Sequence, residues 1–309
     1  MKRRVAAKLP PQAAERTLLE YLSCRFAYHT SEEWQDIIQS GKIALDGAFC
    51  TVTQAPLRAG MLLEYFPGEL AEPSVNRAYR IVFEDEYLLV IDKPGNLPVH
   101  PAGPYFNHTL WALLAENGYE KIHFVNRLDR ETSGLLIAAR SGKIAGILSK
   151  TLADMEKCYH AVVHGDFPQQ LHASGFLVPD AASTIKKKLK FVTDAENTPG
   201  AMAVETSFEL LAGNRNFSLL AAKLHTGRMH QIRATLQGLG YPVAGDKLYG
   251  LDEQLYRRFA LGTLSGDDRK KLILERQALH CCKLSFIHPV SGEIISFSSP
   301  TPPEMTALI

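Results

Sequence analysis

The sequence contains few cysteines and no paired cysteine motif. Its 309 residues include five cysteines, and no two of them are spaced as a CxxC pair. Disulfide-dependent secreted domains are richer in cysteine, and most zinc-binding modules need paired ligands. Cys281 and Cys282 lie between His280 and His288, but this spacing matches no common zinc template. We therefore expect no disulfide framework, a reducing compartment and no metal ion.

Long apolar runs and a strong net charge are also missing. No stretch has the length and apolarity of a membrane span, and the basic start MKRRVAAKLPPQ lacks the apolar core of a signal peptide. Lys and Arg number 34 against 33 Asp and Glu, which gives a net charge of +1 at pH 7. A nucleic-acid partner would therefore have to bind a local basic surface. The prediction is a cytoplasmic protein without a membrane partner, with a monomer as the default.

The pattern along the chain predicts two domains, residues 1–73 and 74–309. The first is predicted as two helices followed by two short strands, KIALDG and MLLEYF. The run at 29–33, His-Thr-Ser-Glu-Glu, is typical of an N-cap, so a helix is expected over Glu32–Gln39. Residues 67–74, PGELAEPS, are rich in Pro, Gly and acid and are interpreted as a linker.

The second domain combines many short strands with a few helices, which favours an α+β fold with a mixed, mainly antiparallel sheet. The lysine-rich segment KKKLK at 186–190 is interpreted as a solvated or mobile loop tip. Strands are predicted at Ile81–Phe83, Tyr87–Asp92, 135–140 and 158–167 and in hairpins over 204–227 and 279–300, and helices at His108–Asn117, 142–155 and 229–240.

The stretch HFVNRLDRETSGLLIAAR, residues 123–140, places Asp129 beside two arginines just before an apolar run. Nearby positive charge lowers the pKa of a carboxyl group by roughly one to three units. Asp129 would then stay ionised, as a nucleophile or a stabiliser of a developing cation must. Taken alone, the motif fits a salt-bridged surface turn equally well. In an extended segment Arg127 shares the side of Asp129, whereas Arg130 points away.

A second polar group occupies LHTGRMHQIR, residues 224–233. Arg228 is predicted at a helix start, where backbone N–H groups can gather an anion. His230 and Arg233 follow on one helical face, which suits phosphate contact or is simply an exposed amphipathic face. Because His225 and His230 lack zinc spacing, they are expected to make polar contacts.

The strand KCYHAVVHG, residues 157–165, puts Lys157 and Tyr159 on one face. A tyrosine beside a lysine can stack on a base and meet a phosphate. The alternative is that this face belongs to the core.

Together these motifs resemble those of the RluA-type pseudouridine synthases, which modify ribosomal and transfer RNA. NRLDRETSGLL is similar to the family signature HRLDxxTSGLL, LHTGRMHQIR to TGRxHQIR, KCYHAVVHG to KxYxALVxG, and GYPVAGDKLYG (240–250) to GxPIxGDxxYG. DKPGNLPVHP and RQALHCCKLSFIHPVSGE also resemble family stretches, so the similarity runs from about Tyr79 to Pro303. GKIALDG and PLRAGMLLEY in the N-terminal part resemble the small αL-type α/β RNA-binding module of a ribosomal protein.

The resemblance implies isomerisation of uridine within RNA, in a central RNA-binding cleft and without a cofactor. Asp129 matches the catalytic aspartate, by attack on the ribose or by the glycal route. Arg127 matches the arginine that holds the RNA open where the target base leaves the stack, and Tyr159 the tyrosine that packs on the flipped uracil. Arg228 is expected to keep Asp129 ionised, with Arg233 as the other arginine of that motif.

The remaining expectations concern RNA contacts and specificity. Asn126, Met229 and Thr235 replace residues common in the family, which leaves the subfamily and the fine RNA contacts open. Ribosomal RNA is favoured over transfer RNA. Two rivals are a catalytically inactive assembly factor and a glycosidase that pairs Asp129 with a second carboxylate. The expected RNA-binding residues are Arg127, Arg130, Lys157, His230 and Arg233, with residues 186–190 as a further basic patch and Ile232 and Leu236 as apolar neighbours.

Overall fold

The protein is described from a computed structural model over residues 5–26, 29–66, 72–195 and 198–309. The chain divides into two compact units, Met1–Pro73 and Ser74–Ile309. Most of the predicted linker, residues 67–71, lies outside the described residues. Among the described helices, none is both long and apolar enough to cross a membrane.

The small unit packs two helices with an antiparallel sheet whose strand order is β1-β4-β2-β3. Each helix begins with a capping box, Thr17 with Glu20 and Thr30 with Glu33, as the N-cap pattern predicts for the second helix. Trp34 is fully enclosed in the core of this unit. The elements are β1 (Val5–Lys8), α1 (Leu18–Arg25), α2 (Ser31–Gln39), β2 (Ile43–Leu45), β3 (Ala48–Cys50) and β4 (Leu62–Tyr65).

The large unit is built on a mixed sheet in the order β11-β10-β12-β13-β9-β14-β8-β6-β5, with β15 beside β14 and β7 beside β8. The described pairings are antiparallel except for β14 with β8, so the predicted α+β fold is confirmed. The strands are β5 (Arg80–Glu84), β6 (Leu88–Lys93), β7 (His123–Phe124), β8 (Ser133–Ala139), β9 (Glu156–His164), β10 (Gln170–Pro179), β11 (Leu189–Val192), β12 (Met202–Gly213), β13 (Phe217–Leu224), β14 (Leu279–Ile287) and β15 (Ile294–Ser298). The helices are α3 (Leu110–Glu116), α4 (Gly142–Lys150), α5 (Gln231–Gly238), α6 (Gln254–Ala260), α7 (Gly266–Leu272) and α8 (Pro303–Thr306).

Two sequence expectations need correction. The lysine-rich segment 186–190 is only partly the expected solvated loop tip: Lys186, Lys187 and Lys190 are exposed. Lys188 is buried, with its Nζ 2.7 Å from Oε2 of Glu253, and Leu189 begins β11. The helix expected over 142–155 ends at Lys150. Strands β10 and β11 were not predicted, since their burial pattern depends on partners that are distant in the sequence.

The strand after Asp129 begins at a close approach of two backbones. Every residue of β8 is buried, which explains its uninterrupted apolar sequence. Gly134 has φ +107°, and a Cβ there would lie 2.3 Å from the carbonyl oxygen of Cys281 on β14. Only glycine fits this position, which holds the Asp129 loop against the centre of the sheet.

We expect Gly134→Ala to lower the free energy of unfolding by about 1–3 kcal/mol or more. The added Cβ would strain the backbone at this φ and would also collide with the backbone of Cys281. The matched control is Gly146→Ala on α4, where an added Cβ meets nothing within 4 Å. That change should stabilise the protein by about 0.5–1 kcal/mol. Urea denaturation of both variants checks the pair, and equal effects would contradict the explanation.

Candidate active site

Asp129 lies in the loop between β7 and β8, and backbone hydrogen bonds hold that loop. Its carbonyl oxygen accepts from the N–H of Thr132 at 3.2 Å, and the carbonyl of Arg130 accepts from the N–H of Leu97 at 3.0 Å. The Asp129 side chain remains 31% exposed. A carboxylate is therefore fixed in place and still accessible.

The charge partner of Asp129 is Arg233, on the buried face of α5. Its Nη1 donates to Oδ2 of Asp129 at 2.7 Å, while Nε and Nη2 donate to the two carboxylate oxygens of Asp246 at 2.6 and 2.8 Å. Asp246 is fully enclosed and also accepts from the backbone N–H groups of Leu248 and Tyr249, both at 2.9 Å. Asp246 therefore orients the arginine, and the arginine orients Asp129.

This arrangement keeps Asp129 ionised. Burial is the largest single influence and raises its pKa, but the charges and hydrogen bonds around the carboxylate, chiefly those of the Arg233 guanidinium, together outweigh burial, and the pKa falls below its ordinary value. His230 Nε2 lies 3.8 Å from Oδ1 of Asp129, but burial lowers the pKa of His230 to about 4. The imidazole is therefore neutral at neutral pH, and Arg233 supplies the stabilising charge.

The structure corrects the expected role of Arg228. Its side chain is exposed, and its backbone N–H donates to Oε1 of Gln231 at 2.9 Å within a turn. The helix starts at Gln231, after His230 in a left-handed conformation with φ 58°, and not near Arg228. Arg233 consequently occupies the buried helix face next to Asp129. Since the Arg233 side chain is only 8% exposed and already donates to two carboxylates, it is not accessible as the expected RNA contact.

Tyr159 and Lys157 both point into the protein from β9. Tyr159 is 7% exposed, and burial, the neighbouring Cys281 and the charge of Asp129 raise its pKa well above the ordinary value. The phenol is therefore neutral. Lys157 is also buried, and its ammonium donates to the carbonyl of Leu152 at 2.6 Å, which removes it from the expected RNA contacts.

The two arginines beside Asp129 have different environments. Arg127 is exposed and close to His100, whose pKa is lowered by burial and then by Arg127. Arg130 donates to Glu131 at 2.6 Å and stacks on Phe259, with its guanidinium carbon 4.7 Å from the ring centroid. It lines a cavity of about 760 Å³, and Asp129 does not contribute to that lining. Arg127 is therefore accessible to solvent, whereas Arg130 is held by contacts within the protein.

Sequence reasoning missed two buried charged residues that support the loop. In the sequence, Asp246 occurs within the stretch GDKLYG and Lys93 within DKPG, and neither stretch indicated a role for its charged residue. Lys93 is fully buried and donates to the carbonyls of Pro94 and Leu97 at 2.9 Å each and of Arg130 at 3.3 Å. Burial lowers its pKa to about 7. A charged residue at the end of an apolar strand is the available signal for such a role.

The chain is similar in sequence to known proteins. A family model described as RNA pseudouridylate synthase matches residues 87–238. The chain is 34% identical over 240 residues to ribosomal large subunit pseudouridine synthase D of Zymomonas mobilis, covering 74% of this chain and 71% of that protein. It is 31% identical to the mitochondrial tRNA pseudouridine(32) synthase of Saccharomyces cerevisiae, covering 77% of this chain and 51% of that protein.

The fold is also similar to that of a solved human protein, RNA Pseudouridylate Synthase Domain Containing 1. The TM-score is 0.59 at 22% identity, with 77% of this chain and 90% of that chain covered. This similarity bears on the fold alone.

Proposed function

The chain belongs to the RNA pseudouridylate synthase family, whose members isomerise uridine in RNA, and we propose that it acts on specific uridines of ribosomal RNA with Asp129 as the nucleophile. The observation that carries the proposal is the accessible, ionised Asp129 carboxylate at the end of the buried pair formed by Arg233 and Asp246. A group held in this way is ready for nucleophilic work at neutral pH.

The reaction needs no external reactant, because the uracil only changes its point of attachment. The bond from ribose carbon one to nitrogen one breaks, the uracil turns, and a bond from ribose carbon one to carbon five forms. The proton on carbon five leaves, and nitrogen one takes up a proton, so the product is an isomer of the substrate. Asp129 either attacks carbon one of the ribose, in a bond that breaks when carbon five attacks, or removes a ribose proton on the glycal route and returns it after carbon five has bonded. In both cases the carboxylate must start ionised, which Arg233 ensures. Tyr159, buried beside it as a neutral phenol, is the proposed surface for the uracil ring.

The target uridine must leave its stack to reach Asp129. This costs a few kcal/mol and costs least at unpaired sites, so loops of structured RNA are favoured. We assign to exposed Arg127 the role of holding the RNA open and to exposed Arg228 contact with the phosphate backbone. The expectation of ribosomal RNA rests on the resemblance of the small unit to a ribosomal RNA-binding module, and transfer RNA is the alternative.

The proposal is tested by incubating ribosomal and transfer RNA that lack pseudouridine with the purified protein and mapping pseudouridine chemically. Asp129→Asn serves as the blank. New sites in ribosomal RNA that appear only with the wild type are expected. New sites only in transfer RNA would contradict the substrate assignment, and no site above the blank would contradict catalysis.

Replacing Arg228 should weaken RNA binding without slowing the chemical step. For Arg228→Ala we expect a higher KM, an unchanged kcat, and a salt dependence of binding reduced by about one phosphate contact. The control is Arg215→Ala, an exposed arginine in the β12–β13 turn. Binding measured over a range of salt concentrations checks the slope, and a fall in kcat alone would instead place Arg228 at the chemistry.

A further inference from the structure

Three potential metal ligands from distant parts of the sequence meet on one face of the sheet. His172 lies on β10, Glu205 on β12, and His225 directly follows β13. One ligand atom from each lies within 4.8 Å of the other two. The strand register explains this meeting, because His172 pairs with Ser207 and alternate residues of β12 share a face.

Ser207 holds both imidazole rings from the centre of this group. Its Oγ lies 3.1 Å from Nδ1 of His172 and 2.9 Å from Nε2 of His225. The ring nitrogen of His172 that does not contact Ser207, Nε2, lies 3.3 Å from Oε1 of Glu205. Metal-binding histidines in proteins are oriented in this way, through a hydrogen bond from the nitrogen that does not bind the ion.

We propose that His172, Glu205 and His225 form a binding site for a divalent transition metal ion of the zinc or cobalt type. Two imidazoles and one carboxylate are a ligand set that zinc uses in proteins, with further positions left open to water. Imidazole ligands do not suit magnesium, which prefers oxygen. The side chains of His172 and Glu205 are 54% and 45% exposed, so they have room to close to ligand distances of about 2.0–2.2 Å.

The hydrogen bonds around Glu205 favour a site in which the ion would link neighbouring strands. The backbone of Glu205 accepts from the N–H of His225 at 3.1 Å and from Nε2 of Gln231 at 3.0 Å, and its N–H donates to Oγ1 of Thr226 at 3.0 Å. A bound ion would add a direct link across β10, β12 and the turn that leads to Arg228. The nearby ammonium of Lys223 lies 3.9 Å from Glu156, which offsets its charge.

The test is titration of the full chain with Co²⁺, followed by visible absorption, with displacement by Zn²⁺. We expect one ion per chain with ligand-field bands. His172→Ala, His225→Ala and Glu205→Gln should each abolish this binding. Ser207→Ala should weaken it by about tenfold or more, as loss of a supporting hydrogen bond does. The controls His123→Ala and Glu209→Gln, both exposed and outside the group, should bind as the wild type does.

Thermal unfolding gives a second readout that does not depend on RNA or on catalysis. Zn²⁺ should raise the melting temperature of the wild type and leave that of His172→Ala unchanged. Absence of binding, equal binding by the ligand variants, or near-ultraviolet thiolate-to-cobalt bands from Cys24 or Cys50 would each overturn the proposal. None of these outcomes bears on the pseudouridine synthase assignment.

Discussion

An Arg233→Met variant should lose about 3–5 kcal/mol of folding free energy and nearly all activity. Methionine has similar length, but it leaves the carboxylates of Asp129 and Asp246 without their shared cation. Removing one partner from a buried ion pair costs this much because the remaining charge is left desolvated. Most of the cost should come from Asp246, whose side chain is fully buried, while Asp129 is 31% exposed. Urea denaturation measures the loss of folding free energy, and turnover on RNA that contains the target uridine measures the loss of activity.

The stability of the wild type and that of the Arg233→Met variant should change with pH in opposite directions. In the wild type the pKa of Asp129 and of Asp246 lies below the ordinary value, because Arg233 and the other hydrogen bonds to these carboxylates together outweigh burial. These groups therefore stabilise the fold above their unfolded pKa, and this contribution is lost as pH falls through their folded pKa. Without Arg233, burial raises both pKa values, so the variant should lose stability as pH rises above the unfolded pKa. Its deficit relative to the wild type should shrink on acidification toward pH 4, near the unfolded carboxyl pKa.

Arg228→Met is the matched control, because Arg228 belongs to the same motif and is exposed. It should change stability by no more than about 0.5 kcal/mol. If both variants were equally destabilised, or if the Arg233→Met deficit did not depend on pH, the assignment of Arg233 as the shared cation would fail.

The sequence predicted Arg228 as the charge partner of Asp129, whereas the structure shows Arg233 in that position. The motif predicted that one of two arginines meets Asp129, and choosing between them required the start of α5. Helix boundaries from sequence are uncertain by a few residues, and each residue turns the helix by about 100°. The left-handed His230 just before the helix also had no sequence signal. Asp129, Tyr159 and many of the individual strands could be identified in the sequence because longer patterns mark them.

Contacts between distant segments could not be predicted from the sequence, for another reason. Lys157 and Tyr159 were correctly placed on one strand face, but whether that face meets RNA or the core depends on the neighbouring strands. His225 was predicted to make polar contacts, because His225 and His230 lack zinc spacing. Its neighbours His172 and Glu205 arrive through strand pairing, which spacing rules do not describe.

The rival interpretation as a glycosidase needs a second working carboxylate near Asp129. Asp246 is the acid on the other side of Arg233, but it accepts from Arg233 and from two backbone N–H groups and is fully enclosed. An acid in this environment stays ionised and cannot deliver a proton to a leaving group. The role left for Asp246 is to orient Arg233.

Asp129→Asn should abolish catalysis while preserving the fold. Asparagine keeps the shape and an oxygen that can accept from Arg233, and Asp246 still neutralises the guanidinium. The loss of stability should therefore be only about 1 kcal/mol, close to that of a single hydrogen bond. The rate should fall by on the order of 10⁴-fold or more, as for other enzymes that lose their nucleophile.

Single-turnover rates, RNA binding and urea denaturation together separate these effects. The expected Asp129→Asn protein binds RNA as tightly as the wild type, since the contacts assigned to Arg127 and Arg228 are intact, and it unfolds at nearly the same urea concentration. This contrasts with Arg233→Met, where stability and activity fall together. Retention of more than roughly 1% of the wild-type rate would exclude Asp129 as the nucleophile. In that case the ion pair with Arg233 would be structural, and the reacting group would have to be sought elsewhere around Tyr159.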